Sequence, residues 1–246
     1  MKVVITGAAD GIGKALAALY TTNGHTVIGV DFDAAQAQKT QAQLGEGLSF
    51  VIADLSQQAQ LDNIAEQLGT GIDVLIHNAG ISAVGYFEKT DIDKQHRVID
   101  VNFLAPMLLT RHLLARNALT VDGSIAFLSS LSHYVSYPGA SVYGATKTGI
   151  ASYARTLSVA YPQRHVLTVY PGPTRTAHAR RYSPDNSRES SRMSSETLAS
   201  HIVTAINKRQ RVLIPSAGNV VFAIAGRLVP RLTNFAMRKT LLEKFD

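Results

Sequence analysis

Tyr143 and Lys147 form the pair in this chain best suited to moving a proton. They stand four residues apart in Val142-Tyr143-Gly144-Ala145-Thr146-Lys147. On a helix that spacing stacks phenol and ammonium on one face. A nearby cation favours the phenolate, so the spacing predicts a tyrosine that exchanges protons near neutral pH, well below its usual pKa of about 10. Alone, the pair also fits an ordinary surface helix. A second group of residues supplies different chemistry: Gly7, Gly11 and Gly13 in Thr6-Gly7-Ala8-Ala9-Asp10-Gly11-Ile12-Gly13. Glycine there allows a tight turn and close approach of the backbone to a pyrophosphate at a helix N-terminus. Asp31, 18 residues beyond Gly13, is placed to accept hydrogen bonds from ribose hydroxyls and to repel a 2′-phosphate.

These residues need a frame, and the apolar pattern provides one. Short continuous apolar runs at Lys2–Thr6, Thr26–Asp31, Leu48–Ala53, Val74–His77, Ser124–Ser129, His165–Tyr170 and Val212–Ile214 read as strands covered on both faces. Helical patterns fill the gaps at Gly11–Asn23, Asp33–Leu44, Gln57–Leu68, Lys94–Asn117, Val142–Tyr161 and Glu196–Asn207. The alternation predicts an α/β fold with a doubly wound parallel sheet of about seven strands and right-handed crossovers. With no repeat and no internal boundary, residues 1–246 read as a single domain. Residues 177–195 break the pattern: rich in Arg and Ser, without an apolar period, they read as a mobile lid over a substrate. Ser194-Ser195-Glu196 then looks like a cap for the next helix.

Composition narrows the class. A hydrophobic share of 46% and a charged share of 17% belong to a globular protein. The absence of cysteine rules out disulfides and thiolate metal sites, and suits a cytoplasmic location. The strand-like run that starts at Lys2 leaves no room for a signal segment, and no run of about 18 apolar residues suggests a transmembrane helix. The net charge of +6 favours anionic ligands, but the basic residues are scattered, so nucleic acid is not expected.

Together the Tyr-x-x-x-Lys pair and the Thr-Gly-x-x-x-Gly-x-Gly turn resemble the short-chain dehydrogenase/reductase family, over nearly all of residues 1–215. The resemblance implies a Rossmann-like fold and a catalytic tetrad of Asn102, Ser130, Tyr143 and Lys147. Ser130 would hydrogen-bond the substrate oxygen, Tyr143 would exchange a proton with it, and Lys147 would hold the nicotinamide ribose. Asn102 would offer its main-chain carbonyl to a water of the proton relay at a helix kink. The sequence holds a physical cause for that kink, since Pro106 has no N–H for the carbonyl four residues before it. By the same resemblance the cofactor would contact Gly7, Asp10, Gly11, Ile12, Gly13, Asp31, Asp54, Leu55, Asn78, Ala79, Gly80, Tyr143, Lys147, Pro171, Gly172, Thr174 and Thr176. His77 stands where the family's turn has a first Asn; with no second ligand at a useful spacing it is not read as a metal site. NADP users in the family place a basic residue where this chain has Asp10 or Phe32, so the cofactor expected is NAD, with NADP not excluded. Tyr86, His133, Tyr137 and Met193 are candidates for an aromatic, fairly apolar substrate pocket.

Residues 218–245 interleave apolar side chains with Arg227, Arg231, Arg238, Lys239 and Lys244, broken by Pro230. This basic amphipathic helical tail suits a subunit interface or its own sheet first, and an anionic membrane surface or a substrate entrance second. The function expected is NAD-linked interconversion of a secondary alcohol and a ketone, on a lipophilic or acyl-chain substrate, in a homodimer or homotetramer. The alternatives are an NADPH-linked ketoreductase similar to 3-oxoacyl-carrier-protein reductases, and a non-catalytic dinucleotide sensor.

Overall fold

The computed structural model describes residues 1–187 and 189–244. Arg188 in the expected lid, and Phe245 at the end of the expected tail, lie outside the described residues. Seven strands form one parallel sheet in the order β3-β2-β1-β4-β5-β6-β9. They are β1 (Lys2–Thr6), β2 (Thr26–Asp31), β3 (Leu48–Ile52), β4 (Ile72–His77), β5 (Leu119–Leu128), β6 (His165–Val169) and β9 (Val212–Leu213). A separate pair, β7 (Thr174–Arg175) and β8 (Met193–Ser194), lies after β6. The helices are α1 (Gly11–Thr22), α2 (Ala34–Leu44), α3 (Leu61–Leu68), α4 (Ile92–Ile99), α5 (Ala105–Ala115), α6 (Ser141–Ala160), α7 (Ala177–Tyr182), α8 (Ser195–Asn207), α9 (Ala217–Leu228) and α10 (Pro230–Leu241).

The continuous apolar strands bury both faces, because alternate side chains point to opposite sides of the pleat. Val4, Leu75 and Phe127 face one core, filled by Leu109 and Leu113 of α5 and Ile150 and Ala154 of α6. Val3, Ile5, Ile76 and Ala126 face the other, filled by Leu16 and Tyr20 of α1 and Leu198 and Ile202 of α8. The chain leaves β1 for β2 on one side and returns to β4 on the other, so a crevice opens at the carboxyl ends of β1 and β4.

Three elements differ from the sequence reading. The helix expected over Lys94–Asn117 is interrupted by a π turn at Asp100–Leu104, where the Ala105 N–H reaches back to the Asp100 carbonyl. Pro106 is the cause: its missing N–H leaves the Asn102 carbonyl without a helical donor, and the wider turn absorbs the mismatch. The continuous helical stretch Ile92–Ala115 is long and apolar enough by length and composition to cross a bilayer, but its Val98, Leu109 and Leu113 are fully buried in the protein. The segment 177–195 is not a featureless loop, since Thr176 caps α7 by accepting the Ala179 N–H at 3.0 Å and β8 pairs with β7. The tail forms two helices bent by 117° at Val229 and Pro230. It does not lie buried on its own sheet: α9 buries only Ala223 and Gly226, and α10 only Thr233.

Candidate active site

The crevice begins at the turn after β1. Gly7 and Gly11 adopt φ of +66° and +55°, a region that side chains with Cβ rarely enter. Gly13 is required by contact, because a Cβ there would lie 1.9 Å from the Gly7 carbonyl oxygen. Asn78 closes the turn from the β4 side. Its amide donates to the Thr6 and Gly7 carbonyls, both at 2.9 Å, while its own N–H and that of Ala79 donate to the Thr6 hydroxyl at 3.1 Å. No side chain caps α1 at Asp10, so the helix presents its first N–H groups and positive dipole end to the crevice. A polyanion fits this cradle.

Asp31 ends β2 at the crevice rim. Its Oδ2 accepts the Ala9 N–H at 2.9 Å and its Oδ1 the Asp33 N–H at 3.3 Å, which fixes the carboxylate against the glycine turn. Capping of α2 falls to Asp33, which takes the Gln36 N–H at 2.9 Å. Asp10 and Phe32 are both exposed, and the ammonium of half-buried Lys14 reaches Gln43 on α2. Asp54 is held by the Ser56 N–H and hydroxyl at 2.9 and 2.8 Å and by Arg97 at 3.2 Å; Leu55 beside it is buried.

At the other end of the crevice, Ser130 follows β5, and Tyr143 and Lys147 lie on α6. The Ser130 hydroxyl stands close enough to the Tyr143 phenol to lower its pKa against the rise that burial causes. Lys147 is buried and donates to the Leu128 carbonyl at 2.8 Å, its Nζ 5.7 Å from the centre of the Tyr143 ring. Burial pushes the phenol up to about 12 and the ammonium down to about 8. This departs from the lowered tyrosine pKa that the spacing predicts: desolvation of the phenolate outweighs a cation that is turned toward a backbone carbonyl.

Asn102 sits in the π turn, buried to 2% exposure. Its side chain is fully used: Oδ1 accepts the Ile81 N–H at 2.8 Å, and Nδ2 donates to the Ile81 carbonyl at 2.9 Å and the Thr146 hydroxyl at 3.3 Å. Gly80 is wedged between this side chain and Lys147, where a Cβ would come within 3.2 Å of Nζ and 3.4 Å of Oδ1. A small cavity behind them is lined by Thr6, His77, Ala79, Asn102, Pro106 and Lys147. His77 is stacked on Phe127 and bonded to Thr110 at 2.8 Å. Thr110 donates to the Pro106 carbonyl, so its oxygen accepts from His77 Nε2–H. Burial holds the imidazole neutral, with its pKa pushed down to about 3.

The remaining expected residues spread further. Pro171 accepts the Leu131 N–H at 3.0 Å, Gly172 packs against Asn219 of α9, and Thr174 bonds back to the Gly172 carbonyl at 3.1 Å. A Cβ on Gly11 would lie 3.3 Å from the Thr176 methyl, which brings the start of α7 over the glycine turn. Tyr137 meets Tyr143 edge-on at 6.1 Å. His133 turns the other way, into a cluster with Tyr134 and Tyr170 beneath Arg227. Tyr86 stands beside Lys89 on the loop after β4. Met193, on β8, packs against the core on the α1 and α8 side. The sequence reading missed His178 of α7, whose ring lies 6.4 Å from Tyr143 and 4.7 Å from Tyr182. Burial, with Lys147 and Arg181 nearby, drives its pKa down to about 4.

A polyanion cradle at a sheet switch point, facing across one crevice a serine–tyrosine–lysine cluster whose lysine is buried, defines a dinucleotide-binding α/β oxidoreductase architecture. Residues 1–187 match the family model described as short chain dehydrogenase, and the chain belongs to that family. It is 29% identical over 178 residues to D-threitol dehydrogenase from Mycolicibacterium smegmatis, covering 70% of this chain and 68% of the relative. Among solved structures it resembles a short-chain dehydrogenase from Sphingobium yanoikuyae in complex with NADPH, with TM-score 0.80, 26% identity and 95% of each chain covered. The bulky-bulky ketone specific alcohol dehydrogenase from Comamonas testosteroni is also similar, with TM-score 0.75, 25% identity, and 97% of this chain and 91% of that one covered.

Proposed function

We propose that this chain is a single-domain, NAD-linked dehydrogenase/reductase that interconverts a secondary alcohol and a ketone. The observation that carries the reading is the placing of Ser130 beside Tyr143, with buried Lys147 one helical turn on, at the crevice that the Gly7, Gly11 and Gly13 turn opens. When bound, the nicotinamide supplies or accepts the hydride. The glycine turn and the N-terminus of α1 would hold its pyrophosphate, and Asp31 the adenosine ribose hydroxyls. Lys147 would give hydrogen bonds to the nicotinamide ribose, which requires its ammonium to turn from the Leu128 carbonyl.

Ser130 would donate to the substrate oxygen and Tyr143 would transfer a proton to it. Ketone reduction asks Tyr143 to begin as the neutral phenol, the form its burial favours. Alcohol oxidation asks for the phenolate and so for higher pH or a closer cation. Tyr137 and His178, which flank the phenol, would border the substrate, and the segment 177–195 would act as the lid. The Sphingobium relative is recorded with NADPH, yet the fixed Asp31 carboxylate and the absence of a basic residue at Asp10 and Phe32 support NAD here. The lack of cysteine supports a cytoplasmic location. Assembly as a homodimer or homotetramer through α5 and α6 is supported by the groove between them, lined by Arg111, Leu114, Tyr153 and Tyr161.

The test is turnover of a panel of secondary alcohols and ketones with NAD and NADH by the wild type and by Tyr143→Phe. The reading requires activity that the variant loses while still binding cofactor; equal activity in the two proteins overturns it.

A further inference from the structure

We propose that the α9–α10 hairpin is a docking surface for an anionic lipid bilayer, on which the protein lies without crossing it. The first observation is apolar exposure. Val220, Val221, Phe222, Ile224, Leu228, Val229, Leu232 and Phe235 are all exposed, five of them by more than half: Val221 66%, Ile224 52%, Leu228 76%, Leu232 65% and Phe235 58%. On α9 the spacing of Val221, Ile224 and Leu228 puts them on one face, and on α10 Leu232 and Phe235 share another. Contiguous apolar surface of this kind marks a place of contact with another body.

Charge decides which body. The hairpin and the turn after it carry Arg227, Arg231, Arg238, Lys239 and Lys244 against one acid, Glu243. Arg238 faces Glu243, and Lys244 is paired with Asp185. Among the described residues Arg227, Arg231 and Lys239 form no ion pair; Arg227 stands over the Tyr134 ring and Lys239 over the Phe235 ring. A two-fold contact with a second copy would bring each set of cations against its own image, a like-charge encounter. An anionic headgroup layer meets the cations with opposite charge and takes the apolar side chains below them, as amphipathic interfacial helices do.

The position of the hairpin gives the docking a consequence for the site. Gly226 lies so close to the loop after β5 that a Cβ would sit 2.4 Å from the Tyr134 carbonyl oxygen. The Ser136 hydroxyl donates to Asn234 at 2.8 Å, and Lys244 holds Asp185 of the lid segment. The lipid-facing helices thus brace both the loop that carries Tyr137 and the segment that carries His178. Resting on the assignment of the crevice above, this places the substrate mouth at the bilayer surface and favours a substrate that partitions into lipid.

Flotation of the full-length protein with vesicles tests the docking without cofactor or substrate, so a failed dehydrogenase assignment would leave it standing. The vesicles are phosphatidylcholine alone, and phosphatidylcholine mixed with phosphatidylserine. The proposal predicts flotation with the anionic vesicles, at least about tenfold weaker binding to the neutral ones, and weakening by added salt. Leu232→Ser with Phe235→Ser, and separately Arg231→Glu with Lys239→Glu, should each reduce binding by about tenfold or more at an unchanged melting temperature. Arg231 and Lys239 are exposed, so the charge reversal keeps the test open should the apolar variant misfold. No flotation, or flotation that both folded variants retain, overturns the proposal. So does a wild type that stays off vesicles while the substitutions break an oligomer in light scattering, which would assign the face to a second copy.

Discussion

Lys147 does not touch the ring it accompanies: its ammonium lies 5.7 Å from the centre of Tyr143 and donates instead to the Leu128 carbonyl at 2.8 Å. Helical spacing brings the two side chains to one face, but the carboxyl end of β5 beside α6 offers the nearer acceptor. The phenol therefore feels burial more than charge, and is held protonated up to about pH 12. Its rate dependence follows. Reduction of a ketone, which consumes the phenol's proton, should keep its rate as pH rises through neutrality, whereas alcohol oxidation should climb with pH because it needs the phenolate. Rates in both directions across pH, at saturating substrate, check this; an oxidation rate flat from neutral pH upward would show a phenol already acidic.

Tyr143→Phe keeps the ring and its packing and removes only the hydroxyl that meets Ser130. Turnover should fall by about 10²- to 10⁴-fold, the usual share of a general acid–base group. Cofactor affinity should stay within about threefold, since a general acid acts on the reacting oxygen and not on cofactor binding. Isothermal titration beside steady-state kinetics separates the two effects.

Gly13→Ala places a methyl carbon where the Gly7 carbonyl oxygen already stands, 1.9 Å from the ideal Cβ, with Asn78 at 2.6 Å. Neither neighbour is a loose side-chain end, so the turn itself must shift. We expect a loss of roughly 1–3 kcal/mol or more, seen as a lower melting temperature, together with loss of dinucleotide binding. A variant that melts and binds like the wild type would remove the cradle from the account.

His77 is neutral in the fold, its pKa pushed down to about 3 by burial, and His178 is held down to about 4. An unfolded imidazole titrates near 6.5, so below that pH the unfolded chain binds more protons than the folded one. Stability is then whole above about pH 6.5 and falls as the pH drops toward 3. His77→Gln, which can keep a donor toward Thr110, should recover roughly 2–4 kcal/mol of that acid loss and move the acid midpoint down. Urea titrations at neutral and acid pH read the difference directly; an unmoved midpoint would mean His77 is not buried as a neutral ring.

What the sequence carried well was whatever depends on one element and a fixed spacing. Continuous apolar strands gave the doubly wound sheet, the glycines gave the turn after β1, and Pro106 announced a fault in the helix four residues earlier. What it carried poorly depends on which partner a side chain meets after folding. His133 lies between Ser130 and Tyr143 in the chain, yet the short turn at Leu131–His133 directs it toward Tyr170 and Arg227. Met193 was legible as apolar, but the pairing of β8 with β7 sends it to the core. His178 gave no signal, because a six-residue helix shows no apolar period and its approach to Tyr143 is set by where Thr176 folds against Gly11. Asp54 is held by Arg97 across 43 residues of sequence, a pairing that no local pattern announces.

The central claim, that the crevice from the glycine turn to Tyr143 is an NAD site with Asp31 as its selector, is tested most directly by titrating the protein with NADH and with NADPH and following cofactor fluorescence. The chain has no tryptophan to obscure the signal. The account predicts saturable binding of NADH at least about tenfold tighter than NADPH, a difference of about 1.4 kcal/mol, and a narrowing of that gap in Asp31→Ser. NADPH bound as tightly as NADH, or neither bound at all, would contradict it.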